Sequence, residues 1–256
     1  MSDIAPARPS STVVIVRAGT AEPQLFMVQR HARSSFGTAY AFPGGVVEDD
    51  DARVHESCTG LSTVHADSRL GVKSHGLDLY SAAIRELFEE SGVLLAGAGN
   101  LKEDLEAARD ALNDGSESWL EFVTRNRLEL HCDQLHYISH WVTPPTQPKR
   151  YSTRFFLAEL PQGQAAAHCG GELTDSRWTT AHDMLEAGWA GDVELHFPTV
   201  KTLESIARHK TLEELVEWAR SCVEWGVTTM APKIIERDGK REIVLPGEKD
   251  YPGAKL

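Results

Sequence analysis

AAIRELFEESGVLL, residues 82–95, sets Glu86, Glu89 and Glu90 close together with Arg85 beside them. At about 100° per residue, a helix brings positions i, i+3 and i+4 to one face, so the three glutamates share roughly a third of the circumference. Tyr80, Ile84, Leu87 and Phe88 fall on the other side as an apolar stripe suited to burial. Such crowding has a cost. Two carboxylates about 5 Å apart repel by roughly 3 kcal/mol at an effective dielectric of about 20. A solvated acidic face would dilute that repulsion in water. A hard divalent cation such as Mg²⁺ or Mn²⁺ would reverse its sign, because it takes oxygen ligands from a carboxylate cluster.

The choice between these readings turns on what lies upstream. AFPGGVVE, residues 41–48, joins a proline and two glycines to a β-branched run, the composition of a strand-edge turn that brings backbone close to a ligand. Together with REL-x-EE-x-G-V it resembles the Nudix box, G-x5-E-x7-R-E-U-x-E-E-x-G-U, where U is a bulky aliphatic residue. Arg85, Glu86, Leu87, Glu89, Glu90, Gly92 and Val93 match its second half without exception. The first half departs from it. Leu77 stands where the pattern has its first glutamate, and Gly45 lies 40 residues before Arg85 instead of 14, an insertion of 26 residues. The inserted stretch, near residues 49–75, is polar and without a sustained period, so it is expected to be a loop or a short excursion that leaves the glutamate helix intact. Asp78 or Glu48 is expected to stand in for the missing glutamate.

The resemblance extends to the peroxisomal coenzyme A diphosphatase-like branch of the Nudix hydrolases. HYISHWVTPPTQPKRYSTRFFLAEL, residues 136–160, is similar to that branch's W-x-TP…RF-x-T-x-FF segment, and LHFPTVKTLESIA and the late LPG…Y are similar to further parts of it. It implies an α+β Nudix fold, a mixed β-sheet sandwiched between helices, as one domain over residues 11–256. The insertion and a helical and hairpin elaboration at 196–251 would be additions to it. The implied activity is hydrolysis of a phosphoanhydride in a nucleoside diphosphate linked to another group, with coenzyme A or an acyl-CoA first. NADH, ADP-ribose or a nucleotide sugar is the alternative substrate, and a non-catalytic nucleotide sensor the alternative class. The resemblance also implies that Glu86, Glu89 and Glu90 hold Mg²⁺ or Mn²⁺. Glu86 would orient or deprotonate water, and Arg85 would orient the carboxylates by charge-assisted hydrogen bonds. Gly44 and Gly45 would admit main-chain groups to the metal and phosphates. Arg30 and Arg154 are the substrate-binding candidates; Arg30 precedes FPGG at a spacing similar to a coenzyme A-type motif, without that motif's threonine and serine. Trp141 and Tyr151 read as core residues rather than a base-stacking pair.

The remaining runs fit that plan. STVVIVRAG and QLFMVQR read as a hairpin, as do QLHYISHWVT and RYSTRFFLAEL, and ELTDSRWTT as a strand. LKEDLEAARDALNDG, SESWLEFVTRNRLEL, TAHDMLEAGW, FPTVKTLESIARH and TLEELVEWARSCVEWG carry helical spacing. PKIIERDGKREIVLPG flanks Asp238-Gly239, a hairpin signal. With 256 residues, 41% of them hydrophobic, the chain can bury a sizeable core. A net charge of −12 argues against a nucleic-acid polymer as partner and leaves room for a small nucleotide diphosphate met by a metal and a few arginines. No run of about 18 apolar residues suggests a membrane span. Cys58, Cys132, Cys169 and Cys222 form no C-x-x-C pair, which suits a reducing compartment. A cytoplasmic location is expected, or the peroxisomal matrix in a eukaryote, because Ala254-Lys255-Leu256 resembles a peroxisomal address.

Overall fold

The computed structural model describes residues 5–30, 38–97, 104–170, 173–237 and 240–252. The first half runs β1 (Arg8–Arg17), β2 (Gln24–Arg30), β3 (Tyr40–Ala41), β4 (Gly44–Val46), a 3-10 helix (Asp49–Ser57), β5 (Cys58–Thr59), α1 (Thr63–Leu70) and α2 (Gly76–Ser91). There follow β6 (Ala96–Gly97), α3 (Leu105–Asp114), α4 (Trp119–Asn126), β7 (Glu129–His131), β8 (His136–Val142), β9 (Tyr151–Glu159) and β10 (Leu173–Thr180). The chain closes with α5 (Ala181–Ala190), α6 (Phe197–Ile206), α7 (Leu212–Trp225), β11 (Thr229–Met230), β12 (Lys233–Arg237) and β13 (Lys240–Val244).

The main sheet has the order β10-β2-β1-β9-β8-β11, with β3 on β2 and β4 on β1. It is mixed: β1 pairs parallel with β9 and β11 with β8, and the other pairs are antiparallel. Both predicted hairpins, β1–β2 and β8–β9, are present. The run Val13-Val14-Ile15-Val16 is buried throughout because β1 lies mid-sheet and both faces are covered. Val13 and Ile15 pack with Ile84, Leu87 and Phe88 of α2, whereas Val14 and Val16 pack with Met184, Leu203 and Leu215 of α5, α6 and α7. The fold is thus α+β, a mixed sheet between two helical layers.

The C-terminal helices start where capping residues put them. Thr180 accepts a hydrogen bond from the Asp183 amide and Thr211 from that of Glu214, and Pro198 occupies the first turn of α6. β12 and β13 pair as a separate two-stranded ribbon; their connecting Asp238-Gly239, like Ala254-Lys255-Leu256, lies outside the described residues. Among the described residues no helix is long and apolar enough to cross a membrane.

Two expectations are corrected here. The insertion is not a loop: it folds as the 3-10 helix, β5 and α1, because Val54, Leu61, Ala66 and Leu70 supply it with apolar side chains that join the α2 side of the core. Ser62 caps α1, and Gly76 lies so close to the Ala66–Asp67 backbone that a Cβ there would stand 2.7 Å from it. The end of the run SESWLEFVTRNRLEL is also not helical. Arg127 turns the chain through a left-handed conformation, after which Glu129–His131 pairs with β5 and β6 as β7.

Candidate active site on the buried helix

Helix α2 is held against the sheet at several points. The Ser11 hydroxyl of β1 donates to the Leu79 carbonyl at 2.6 Å, and Arg85 Nη2 donates to the Val46 carbonyl of β4 at 2.8 Å. At the far end Gly92 adopts the left-handed conformation that stops the helix, and Arg109 Nε and Asn113 Nδ2 both donate to the Glu89 carbonyl.

This docking turns Glu86 and Glu90 onto the double glycine, with Glu89 beside them on Arg85. The Gly44 amide donates to Glu90 Oε2 at 2.9 Å. Gly45 faces Glu86 so closely that a Cβ would overlap its carboxylate, and one on Gly44 would strike the Ser11–Thr12 backbone. Both positions therefore require glycine for close approach. Gly44, Gly45, Arg85, Glu86, Glu89 and Glu90 line one cavity of about 1820 Å³, whose walls also carry Phe42, Trp141, Phe155, Phe197, Ile234 and Ile243. That space exceeds the roughly 300–1,000 Å³ of a typical small-molecule pocket.

Arg85, 2% exposed, organises the acids. Its Nη1 donates to Glu86 Oε1 at 3.0 Å and to Glu89 Oε2 at 3.2 Å. Its Nε and Nη2 donate to the two oxygens of Asp51 at 3.3 and 3.0 Å. Asp51 is therefore the carboxylate that occupies the place expected for Asp78 or Glu48. Asp78 instead bonds His55 and His75, and Glu48 contributes its amide to Asp51 Oδ2 at 2.9 Å. Ser81 Oγ donates to Asp51 Oδ1 at 2.9 Å and accepts from Trp119 Nε1 at 3.1 Å, linking the cluster to α4. Asp51 stands six residues after Gly45, the spacing that the box gives its first acid, a signal passed over by counting back from Arg85 to Leu77; Arg8 and Lys149, which line the cavity, carried no sequence signal.

The electrostatics follow from this crowding. Burial pushes the Glu86 carboxyl up to about 8; Arg85 opposes the rise, and Glu90 and Glu89 add to it. Burial likewise lifts Glu89 to about 7 against the pull of Arg85, with Glu48 and Asp51 adding to the rise. Burial also works against the Arg85 charge, but Glu86, Asp51 and Glu89 outweigh it and hold the guanidinium protonated. Among the described residues no group of three or more acidic, histidine or cysteine side chains is arranged to hold a metal ion. The donor set nevertheless suits a hard cation: oxygen ligands only, partly desolvated, mutually repelling and fixed on a rigid helix.

The arginine expectations fare differently. Arg154 alternates away from Tyr151, Thr153 and Phe155, which line the cavity, and is not brought to it. It lies buried beside Ser152 and His140, with Nη1 donating to Ser152 Oγ at 3.2 Å, because even-numbered residues of β9 face the opposite side of the sheet. Arg150 is spent on the main-chain carbonyls of Thr143 and Ala5. Arg30 ends β2, and its side chain lies outside the described residues. Trp141 is buried, meets Phe197 edge-to-face with ring centroids 5.8 Å apart, and contributes to the cavity wall.

The architecture matches that of a NUDIX hydrolase from Alicyclobacillus acidocaldarius, with a TM-score of 0.70 at 26% identity over 82% of this chain and 96% of that one. Its class is accordingly that of the Nudix hydrolases. A family model described as the NUDT19 Nudix domain matches residues 75–206, just over half of the chain, and the chain belongs to that family. Curated relatives include a putative nudix hydrolase 7 of Caenorhabditis elegans, 26% identical over 94% of this chain and 74% of that protein. Another is the acyl-coenzyme A diphosphatase NUDT19 of Xenopus laevis, 24% identical over 91% of this chain and 72% of that protein.

Proposed function

We propose that this Nudix hydrolase splits the phosphoanhydride of coenzyme A or an acyl-CoA, releasing a phosphopantetheine-type product and adenosine 3′,5′-bisphosphate. The observation that carries the reading is the meeting of Glu86 and Glu90 with Gly45 and Gly44 inside one large cavity that Glu89 also lines. A diphosphate fits beside the glutamates, and the apolar wall that includes Trp141, Phe155 and Ile234 suits a pantetheine or acyl group. The Xenopus relative, named for acyl-coenzyme A hydrolysis, supports the substrate class.

Glu86, Glu89 and Glu90 would hold Mg²⁺ or Mn²⁺, which when bound neutralises phosphate charge and acidifies water. Glu86 would orient the water or take its proton, a role that needs it ionised; burial raises it to about 8 in the metal-free protein, and a neighbouring cation would supply the opposing charge. Arg85 contacts Glu86 and Glu89 and orients them. Gly44 and Gly45 leave room for phosphate against the backbone. Water attacks one phosphorus, the bridging P–O bond breaks, and the leaving phosphate departs with the electron pair.

The test is a metal-supplemented screen of coenzyme A, acyl-CoAs, NADH, ADP-ribose and nucleotide sugars with products identified by mass. Preference for coenzyme A or its thioesters is expected; preference for any of the last three removes the assignment.

A further inference from the structure

The cavity has a second pole, far from the glutamates. From Gly44 and Gly45 on β4 the sheet continues through β1, β9 and β8 to β11, four strand spacings or roughly 19 Å. The β12–β13 ribbon starts just beyond β11, outside the residues that the family model matches, and Pro232, Ile234 and Ile243 line the same cavity as the glutamates. A molecule with its diphosphate at the glutamates therefore meets the ribbon only with a distant part.

Strand alternation decides which face the ribbon turns to the cavity. Ile234 and Ile243 are directly opposed partners, so their side chains share one face. The adjoining pair, Lys233 and Val244, belongs to the other face, and there Val244 is buried. The ribbon is tied down by Tyr251 Oη, which donates to the Ala231 carbonyl at 2.8 Å, and by Arg237 Nη2, which donates to Asp250 Oδ2 at 2.6 Å. Ile234 and Ile243 nevertheless stay 44% and 49% exposed. One exposed isoleucine is ordinary, but an opposed pair on a cavity wall is a preformed apolar contact. Adenosine, the phosphates and the pantetheine amides carry hydrogen-bonding groups that would lose water against this face without gaining a partner. An alkyl chain has none to lose and gains by burial.

We infer that Ile234 and Ile243 form an acyl-chain subsite that makes long-chain acyl-CoA thioesters better substrates than free coenzyme A. This inference rests on the coenzyme A reading proposed above.

The test measures kcat/KM of the full-length protein with Mg²⁺ for coenzyme A and for acetyl-, hexanoyl- and lauroyl-CoA. In wild type the value should rise with chain length, lauroyl-CoA exceeding free coenzyme A about tenfold or more. Ile234→Thr with Ile243→Thr keeps β-branched side chains that suit a strand but makes the face polar, and the lauroyl-to-free ratio should fall about tenfold. Ile234→Val with Ile243→Val keeps the face apolar and should hold the ratio within about threefold of wild type. Trp189→Ser, at an exposed apolar residue of α5 that does not line the cavity, should leave the ratio as it is. A ratio preserved in the threonine pair overturns the inference, as does an equal fall in the valine pair or in Trp189→Ser. A flat chain-length series in wild type also overturns it, and that series needs no variant should the threonine pair not fold. Turnover of coenzyme A with a flat series leaves the proposed function standing. Turnover of neither coenzyme A nor any thioester removes that function and the subsite together.

Discussion

Arg85 and Arg154 are both buried, 2% and 8% exposed, yet they meet opposite surroundings. Arg85 touches three carboxylates and a carbonyl, and those acids more than offset the burial of its charge. Arg154 has ion pairs with no acid among the described residues. Its Nε lacks a hydrogen-bond partner there, and burial draws its pKa down. It also helps to hold the neighbouring His140, itself buried, neutral down to about pH 4. The contrast separates two ways of burying a cation. One is a compensated centre with a surplus of acid, the surplus that the proposed function assigns to a divalent cation. The other is an uncompensated charge, which the fold tolerates.

The sharpest test of the compensated side removes a carboxylate. Glu89→Gln or Glu90→Gln should lower Mg²⁺-dependent kcat about 10³-fold or more, some 4 kcal/mol of transition-state stabilisation, while circular dichroism stays unchanged. Activity retained in both variants would mean that the surplus acid serves no cation. Arg85→Met should then cost about 3–5 kcal/mol of unfolding free energy in urea titrations, because it strands the buried Asp51 and Glu86. Gly45→Ala should lower kcat about 10²-fold by displacing the Glu86 carboxylate, with a smaller loss of stability.

The glutamate triplet was legible because helix geometry is local: spacing alone puts those side chains on one face, and the box matched them residue by residue. Asp51 was legible only by counting forward from Gly45, and the count back from Arg85 passed over it. Three aspartates stand in a row, and the path of the 3-10 helix turns Asp50 to the Leu120 amide of α4 and Asp51 inward. Asp78 looked as plausible from its place in α2, but its side chain is directed to the two insertion histidines. For β9, strand alternation does tell that Arg154 shares a face with the buried Phe156. Which face borders the cavity, however, follows from tertiary docking that no local pattern encodes. The hairpins and capped helices read well for the same reason as the triplet: their signals lie within a few residues.

The two regions also oppose each other in pH dependence. Glu86 and Glu89 are raised to about 8 and about 7 from an ordinary 4.5, so the folded protein holds extra protons and loses stability as pH climbs from about 4.5 to about 8. His140 is lowered to about 4 from 6.5, so its contribution is lost as pH falls through that window and is complete above 6.5. Between pH 6.5 and 8 the slope belongs to the glutamates. The metal-free protein should melt at a lower temperature at pH 8 than at pH 6.5, and millimolar Mg²⁺ should raise the melting temperature more at pH 8. Differential scanning fluorimetry at the two pH values reads both. Equal Mg²⁺ effects would separate the raised carboxyls from cation binding.

The smallest effect belongs to the uncompensated side, and its smallness is the point. Arg154→Met removes a buried charge that has no acid partner and leaves Ser152 Oγ bonded to His140 Nε2 at 2.8 Å. The lost hydrogen bond and the relieved desolvation act in opposite directions, so the unfolding free energy should change by no more than about 1 kcal/mol. KM and kcat should stay within about twofold of wild type, since Arg154 does not reach the cavity. The His140 pKa, followed by NMR, should rise as the repelling charge disappears. A tenfold rise in KM for coenzyme A would instead place Arg154 in contact with substrate and erase the difference between the two arginines.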